Sequence, residues 1–273
     1  QMSEIYTDGM VLQREVPLDI HGKADAGRKV TVMFAGQKVQ TVANNRGEWS
    51  VTLQPMKAAR NQMLVVESDK TKKVFRDVAV GEVWLCSGQS NMAFQQAATA
   101  ARDIPNVSDA DLRFFDMKAN WQTNDVAWPL SAIDSLNHLQ YFAPTSWRGA
   151  TPETAGQFSA VAYYFGRMLR DSLQVPVGLV CNAVGGAPTE AWIDRNTLET
   201  RFPAILNDWL HNDFIQQWVR ERAAKNISNA GGASARHPYE PCYLYESGML
   251  PLLQYRVKGV VWYQGESNAH NME

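Results

Sequence analysis

The stretch Gly81-Glu82-Val83-Trp84-Leu85-Cys86-Ser87-Gly88-Gln89-Ser90-Asn91-Met92 decides how the rest of the chain reads. Residues 83–86 are a continuous apolar run, the pattern of a buried strand. Ser87-Gly88 breaks it, because glycine admits the backbone of a sharp turn. Asn91, Met92, Ala93 and Phe94 then open a helix expected to reach Ala97 or beyond. Strand, turn and helix in that order lift Ser90 to the C-terminal edge of a parallel sheet, where ligands of open α/β sheets bind. The turn is not a Gly-x-Ser-x-Gly elbow, since Met92 stands where the second glycine would be, and an α/β-hydrolase reading loses support. Taken alone, the segment reads best as a structural turn.

Two later stretches change that reading. Val177-Gly178-Leu179-Val180-Cys181-Asn182-Ala183-Val184-Gly185-Gly186 is an apolar strand ending in a glycine pair. Val260-Val261-Trp262-Tyr263-Gln264-Gly265-Glu266-Ser267-Asn268 is another, ending in glycine and polar residues. Acyl transfer needs a nucleophile and hydrogen-bond donors aimed at a developing oxyanion. Ser90, a backbone N–H at Gly185 or Gly186, and the side-chain amide of Gln264 or Asn268 supply those types.

These three blocks resemble the SGNH (GDSL-like) hydrolases and, more narrowly, the sialate O-acetylesterase family of carbohydrate esterases. Gly88-Gln89-Ser90-Asn91-Met92 is similar to the nucleophile block, Gly185-Gly186 with Glu190-Ala191-Trp192 to the glycine block, and residues 262–268 to the third block. Residues 10–49 are similar to the small β domain that precedes the hydrolase in bacterial members. The resemblance implies a serine esterase with Ser90 as nucleophile. Its oxyanion donors are the N–H of Ser90 and of Gly185 or Gly186, with the amide of Gln264, or next Asn268, beside them. Glu266 is expected to hold Gln264 or its loop, or else to be a surface carboxylate. The implied substrate is an O-acetylated carbohydrate, sialate esters favoured, with acetylxylan or another acetylated sugar as the alternative. No cofactor or metal is implied, and the implied location is periplasmic or secreted.

The family takes its base and orienting acid from an Asp-x-x-His block after the third block. Those residues are expected C-terminal to Glu273, on a further segment of the same polypeptide. Asp208-Trp209-Leu210-His211 has the spelling but lies between the second and third blocks, inside an amphipathic helical run, and reads as a solvated pair. His270 follows the third block without a suitably spaced Asp, and His138 and His237 sit in loops. A second function class, a carbohydrate-binding protein without a base, stays open on these grounds.

Bulk properties fit a globular protein: 273 residues, 45% hydrophobic, 20% charged, net charge −2. That charge makes no case for a nucleic-acid partner. No apolar run has the length of a membrane span. Cys86, Cys181 and Cys242 form no C-x-x-C pair, so no metal cage is indicated, and the first two read as small buried hydrophobes. Asn106 and Asn226 head glycosylation sequons.

Residues 10–77 alternate in short period-two runs separated by turn signals, which predicts a small antiparallel β-sandwich as a first domain over 1–77. Trp49 is in phase with Val51 and Leu53 and is placed in its core, whereas His21 is placed on its surface. Residues 78–273 then alternate strands with helical patterns, predicting a doubly wound, flavodoxin-like α/β domain with about four of the five SGNH strands visible. Helices are expected over 155–174, 202–227 and 245–253, strands over 111–117 and 257–263. Residues 118–157 read as a long irregular loop whose Trp121, Trp128 and Trp147 either wall a sugar pocket or anchor the loop.

Overall fold

The computed structural model describes residues 1–69, 71–100 and 108–269. Its strands are β1 (Val11–Gln13), β2 (Leu18–Lys23), β3 (Lys29–Phe34), β4 (Gln37–Val42), β5 (Glu48–Leu53), β6 (Ala59–Ser68), β7 (Thr71–Gly88), β8 (Asp109–Asp116), β9 (Arg148–Ala150), β10 (Val177–Cys181) and β11 (Gly259–Tyr263). Its α-helices are α1 (Ser90–Ala93), α2 (Leu130–Asn137), α3 (Pro152–Gln157), α4 (Ala160–Leu173), α5 (Arg195–Arg201) and α6 (Gln217–Asn226).

β7 joins both halves of the molecule. Its first part pairs antiparallel with β6, which continues through β3 to β4, while β2 and β5 form a separate antiparallel ribbon. The apolar alternates Ile20, Val30, Val32, Trp49, Val51 and Leu53 are all buried, as period two requires of a two-layer core. The one parallel partner here is β1, which sets Val11 opposite Ala79. His21 is half-buried rather than solvated, because the Tyr6 hydroxyl lies 3.3 Å from its Nδ1.

The second part of β7 lies in a parallel sheet ordered β8-β10-β7-β11. Leu85 faces Val180, and Val180 faces Phe115, so three strands present apolar side chains in register. Both faces of β7, β8 and β10 are covered here, which is why their runs are continuously apolar. On one face Val83, Leu85, Phe115 and Val180 join the core of the antiparallel strands. On the other, Cys86, Phe114, Leu179 and Cys181 pack with Phe158, Ala162 and Tyr163, the last two on the inner side of α4. The result is the α/β architecture read from the sequence, with antiparallel strands at its N-terminal side. Position 77/78 falls within β7, which passes through it unbroken.

The helix expected over 155–174 is two helices. Phe158 leaves the helix to stack on Phe114 at 4.2 Å, and Ser159 Oγ then caps α4 by accepting the Ala162 N–H at 3.2 Å. The helix expected over 202–227 is α-helical only in α6: Pro203 opens a single tight turn, and Asp208 takes a left-handed φ of 44°. The 245–253 segment is a wide turn at Tyr245–Met249 followed by a tight one at Leu250–Leu252. The loop over 118–157 contains α2 and β9. Its Trp128 and Trp147 are buried, and Trp147 Nε1 donates to the Ile5 carbonyl at 2.9 Å, so these tryptophans anchor the loop. The helix after Ser90 stops at Ala93, and a separate tight turn follows at Gln96–Ala98.

Candidate active site

The site is built at the C-terminal ends of β7, β10 and β11. At the end of β7, Gly88 has φ of 141°, and a Cβ there would overlap the Tyr263 carbonyl of β11. Only glycine lets these two strand ends close, and the Gln89 N–H then donates to the Tyr263 carbonyl at 3.0 Å. Ser90 begins α1 and is exposed. The first-turn N–H groups of a helix have no intrahelical acceptor, and no side chain caps α1. The Ser90 N–H thus has no acceptor among the described residues and lies beside its own hydroxyl.

The glycine pair is drawn to this turn by the Val184 N–H, which donates to the Gly88 carbonyl at 3.0 Å. The Gly185 carbonyl accepts from Thr123 Oγ1 at 2.9 Å and Tyr239 Oη at 2.7 Å, and the Gly186 carbonyl from Ser267 Oγ at 3.0 Å. Gly186 has φ of 74° and a Tyr239 hydroxyl where a Cβ would sit. With both carbonyls held, the amide N–H groups of Gly185 and Gly186 have no acceptor among the described residues.

The third block is locked to the other two. Gln89, almost fully buried, accepts the Ser267 N–H at 3.1 Å through its Oε1. Asn91 Nδ2 donates to Glu266, so Glu266 holds the nucleophile helix and not Gln264. Thr189 Oγ1 donates to Gln264 Oε1 at 2.6 Å, and the Thr189 N–H to Asn268 Oδ1 at 2.9 Å. Gln264 Nε2 in turn donates to Asn268 Oδ1. Asn268 Nδ2 donates to both Glu190 oxygens, at 3.0 and 2.9 Å. The five sequence-predicted residues therefore lie on three adjoining strand ends, but the amides of Gln264 and Asn268 are engaged in joining blocks. Gln89, Thr189 and Ser267 were not singled out by sequence. Gln89 and Ser267 lie inside the quoted blocks but carried no assigned role, and Thr189 is a polar residue just before Glu190 of the second block.

No described histidine hydrogen-bonds Ser90. His211 Nδ1 lies 2.8 Å from Asp208 Oδ1, with both side chains at least three-quarters exposed, as read. His237 is fully buried, stacked on Trp128 at 5.0 Å, and burial pushes its pKa down to about 3. His138 lies on the surface with Nδ1 2.8 Å from the Asp134 carbonyl. His270 and Asn106 lie outside the described residues. The Asn226 sequon is closed to modification in the folded chain, because its buried Nδ2 donates to the Asn124 and Val126 carbonyls at 2.7 Å each. Burial pushes the Cys86 thiol well up and that of Cys181 to about 12, so both are unreactive core residues.

Residues 80–273 match the family described as carbohydrate esterase, sialic acid-specific acetylesterase. The sialate O-acetylesterase of Rattus norvegicus is 31% identical over 96% of this chain and 51% of its own length. That of Homo sapiens is 32% identical over 95% of this chain and 47% of its own. This chain spans about half the length of the curated relatives it matches. A solved carbohydrate acetylesterase from Xanthomonas citri aligns with TM-score 0.74 and 31% identity, covering 100% of this chain and 53% of that one. The chain belongs to the carbohydrate esterase family of sialic acid-specific acetylesterases.

Proposed function

We propose that this polypeptide hydrolyses O-acetyl esters of carbohydrates, sialic acids first, with Ser90 as nucleophile. The observation that carries the reading is the joining of three strand ends around an exposed Ser90 flanked by unpaired N–H donors. In the reaction, Ser90 Oγ attacks the acetyl carbonyl and gives its proton to a base. The Ser90 N–H and an N–H of Gly185 or Gly186 receive the oxyanion. The sugar hydroxyl leaves with a proton, and water then releases acetate from the acyl-serine. Gln264 and Asn268 act by positioning the glycine block. The base and its orienting carboxylate come from sequence beyond Glu273. The exposed apolar side chains of β11, Val260 and Trp262, support a further segment of the same polypeptide lying against that edge. The working location is extracytoplasmic, where O-acetylated glycans are met.

The test is acetate release from O-acetylated sialic acid, together with labelling by an organophosphonate, on the full-length polypeptide. Ser90→Ala is expected to lower kcat by about 10⁴-fold or more and to abolish labelling. Activity within tenfold of the parent would remove Ser90 from the reaction. Sugar binding with neither release nor labelling would favour the non-catalytic binding protein.

A further inference from the structure

The arginines that are shielded from water in this molecule are ion-paired, with one exception among the described residues. Arg14, Arg113, Arg167, Arg170, Arg220 and Arg236 each meet a carboxylate within 4.0 Å. Arg222 is half-buried and meets none. Carboxylates of the neighbouring segments have other partners. Asp213 pairs with Arg220 at 3.0 Å, Glu221 accepts from Gln217 at 2.6 Å, and Glu240 pairs with Arg236 at 2.9 Å. A guanidinium removed from water without an anion is costly, and a carboxylate delivered by a ligand would relieve it through charge-assisted hydrogen bonds.

Arg222 lies one turn after Trp218 on α6, and its guanidinium sits 5.1 Å above the indole ring. Val219 and Ala223, about a quarter-turn round α6 from Trp218 and Arg222, point into the core, which fixes the rotation of the helix. The Trp218 ring stays 38% exposed, and its Cη2 lies 3.3 Å from where a Cβ of Gly186 would be. The Arg222 guanidinium also faces the Tyr239 hydroxyl, the same group that holds the Gly185 carbonyl. An open cavity of about 530 Å³ borders the other side of Trp218; Gln216, Arg220, Asp213 and Glu221 line it, and Arg222 does not. A cation, an indole ring and the glycine pair thus lie close together around the Tyr239 hydroxyl.

We propose that Arg222 and Trp218 form a subsite for an acidic sugar, Arg222 binding the carboxylate and Trp218 stacking on the ring, beside the Gly185-Gly186 end of the site. This rests on the proposed esterase reading for what happens at Ser90, but its own readout is binding. Sugar C–H groups carry partial positive charge and favour the electron-rich face of an indole. A planar guanidinium can grip both oxygens of the carboxylate.

The experiment is calorimetric titration of the full-length polypeptide carrying Ser90→Ala with N-acetylneuraminic acid and with its methyl ester, which cancels the charge. The acid is expected to bind about 50-fold tighter than the ester, the range of a bidentate charged hydrogen bond. Arg222→Met is expected to bring that ratio to near one, and Arg222→Lys to leave a ratio of about five. A ratio near one in the parent, or a ratio that survives Arg222→Met, overturns the proposal, as does failure of the acid to bind. Should Arg222→Met not fold by circular dichroism, Arg222→Gln carries the same reading. Glucuronic acid bound as tightly as the sialic acid extends the subsite to sugar acids in general. Acid-selective binding by a parent that releases no acetate keeps the subsite and removes the esterase. Acetate release with no acid preference does the reverse.

Discussion

Asn268 ties the third block to the second: its carbonyl accepts from Thr189 as well as from Gln264, and its amide donates to Glu190. Asn268→Ala would leave the Glu190 carboxylate half-buried without that donor and free the loop that carries Gly185 and Gly186. Displacing an oxyanion donor by a fraction of an ångström affects the transition state more than ground-state binding. The expected result is a 10- to 100-fold drop in kcat with a smaller change in KM. Steady-state kinetics check it, and an unchanged kcat would show that the link is not needed. His237 supports a second prediction. Its Nδ1 accepts the Tyr239 N–H at 2.9 Å and its Nε2 faces Asn226 Oδ1 at 3.1 Å, which fixes the neutral form. Burial holds the folded pKa near 3, below the usual histidine value of 6.5. The unfolded chain therefore takes up a proton that the folded chain refuses as pH falls below about 6.5. Stability should drop by about 1.4 kcal/mol per pH unit between roughly pH 6 and 5, before carboxylates dominate. Urea midpoints across that window should flatten in His237→Gln. A parent with no slope would sink the assignment. Residue types were legible in the sequence, because Ser90, the glycines and the third-block amides were picked out by chemistry. Their partners were not, since Thr189 and Gln89 acquire roles only when strands distant in the chain are brought together.

At the scale of elements, the strand–turn–helix at Ser90 depends on Gly88. Gly88→Ala puts a side chain at φ of 141° and against the Tyr263 carbonyl. Strain and clash together should cost about 2–4 kcal/mol and displace the end of β11. Gly185→Ala is the control, because a Cβ there meets no atom within 4 Å and its φ is not positive. It should change stability by less than about 1 kcal/mol. Denaturant midpoints for the pair test the claim, and equal losses would refute it. The parallel strands were readable because apolar runs bounded by glycine are a strong local signal. The helix breaks were not. Phe158 leaves its helix for a ring on another strand, and Asp208 turns left-handed within a run that keeps helical spacing. The first outcome is set by tertiary packing, and the second by Asp208 taking a left-handed conformation that aspartate tolerates, on an exposed stretch with only the local His211 as side-chain partner.

For the molecule as a whole, the change of pattern near residue 78 was plain in the sequence, whereas the continuity across it was not. One buried cluster runs from Val30 and Trp49 through Val83 to Phe115 and Val180. Trp147 braces it, packing on Phe115 at 5.6 Å and Tyr255 at 6.2 Å while donating to Ile5. Tyr255 Oη donates to the Val11 carbonyl at 2.6 Å. The buried Arg113 guanidinium donates from β8 to the Gly9 carbonyl at 2.9 Å and to Asp77 Oδ1 at 3.1 Å. The hydrogen bonds to Ile5, Val11, Gly9 and Asp77 all cross position 77/78, and the buried cluster does too, so neither side can open without exposing the apolar surface of the other. Unfolding in urea should therefore appear as one transition, with tryptophan fluorescence and far-ultraviolet dichroism coincident. Trp147→Ala removes a large ring and its hydrogen bond and should lower both signals together, by about 3–5 kcal/mol. Two separated transitions, or a Trp147→Ala effect confined to one of them, would mean that the two sides hold their folds independently and that the shared cluster contributes little between them.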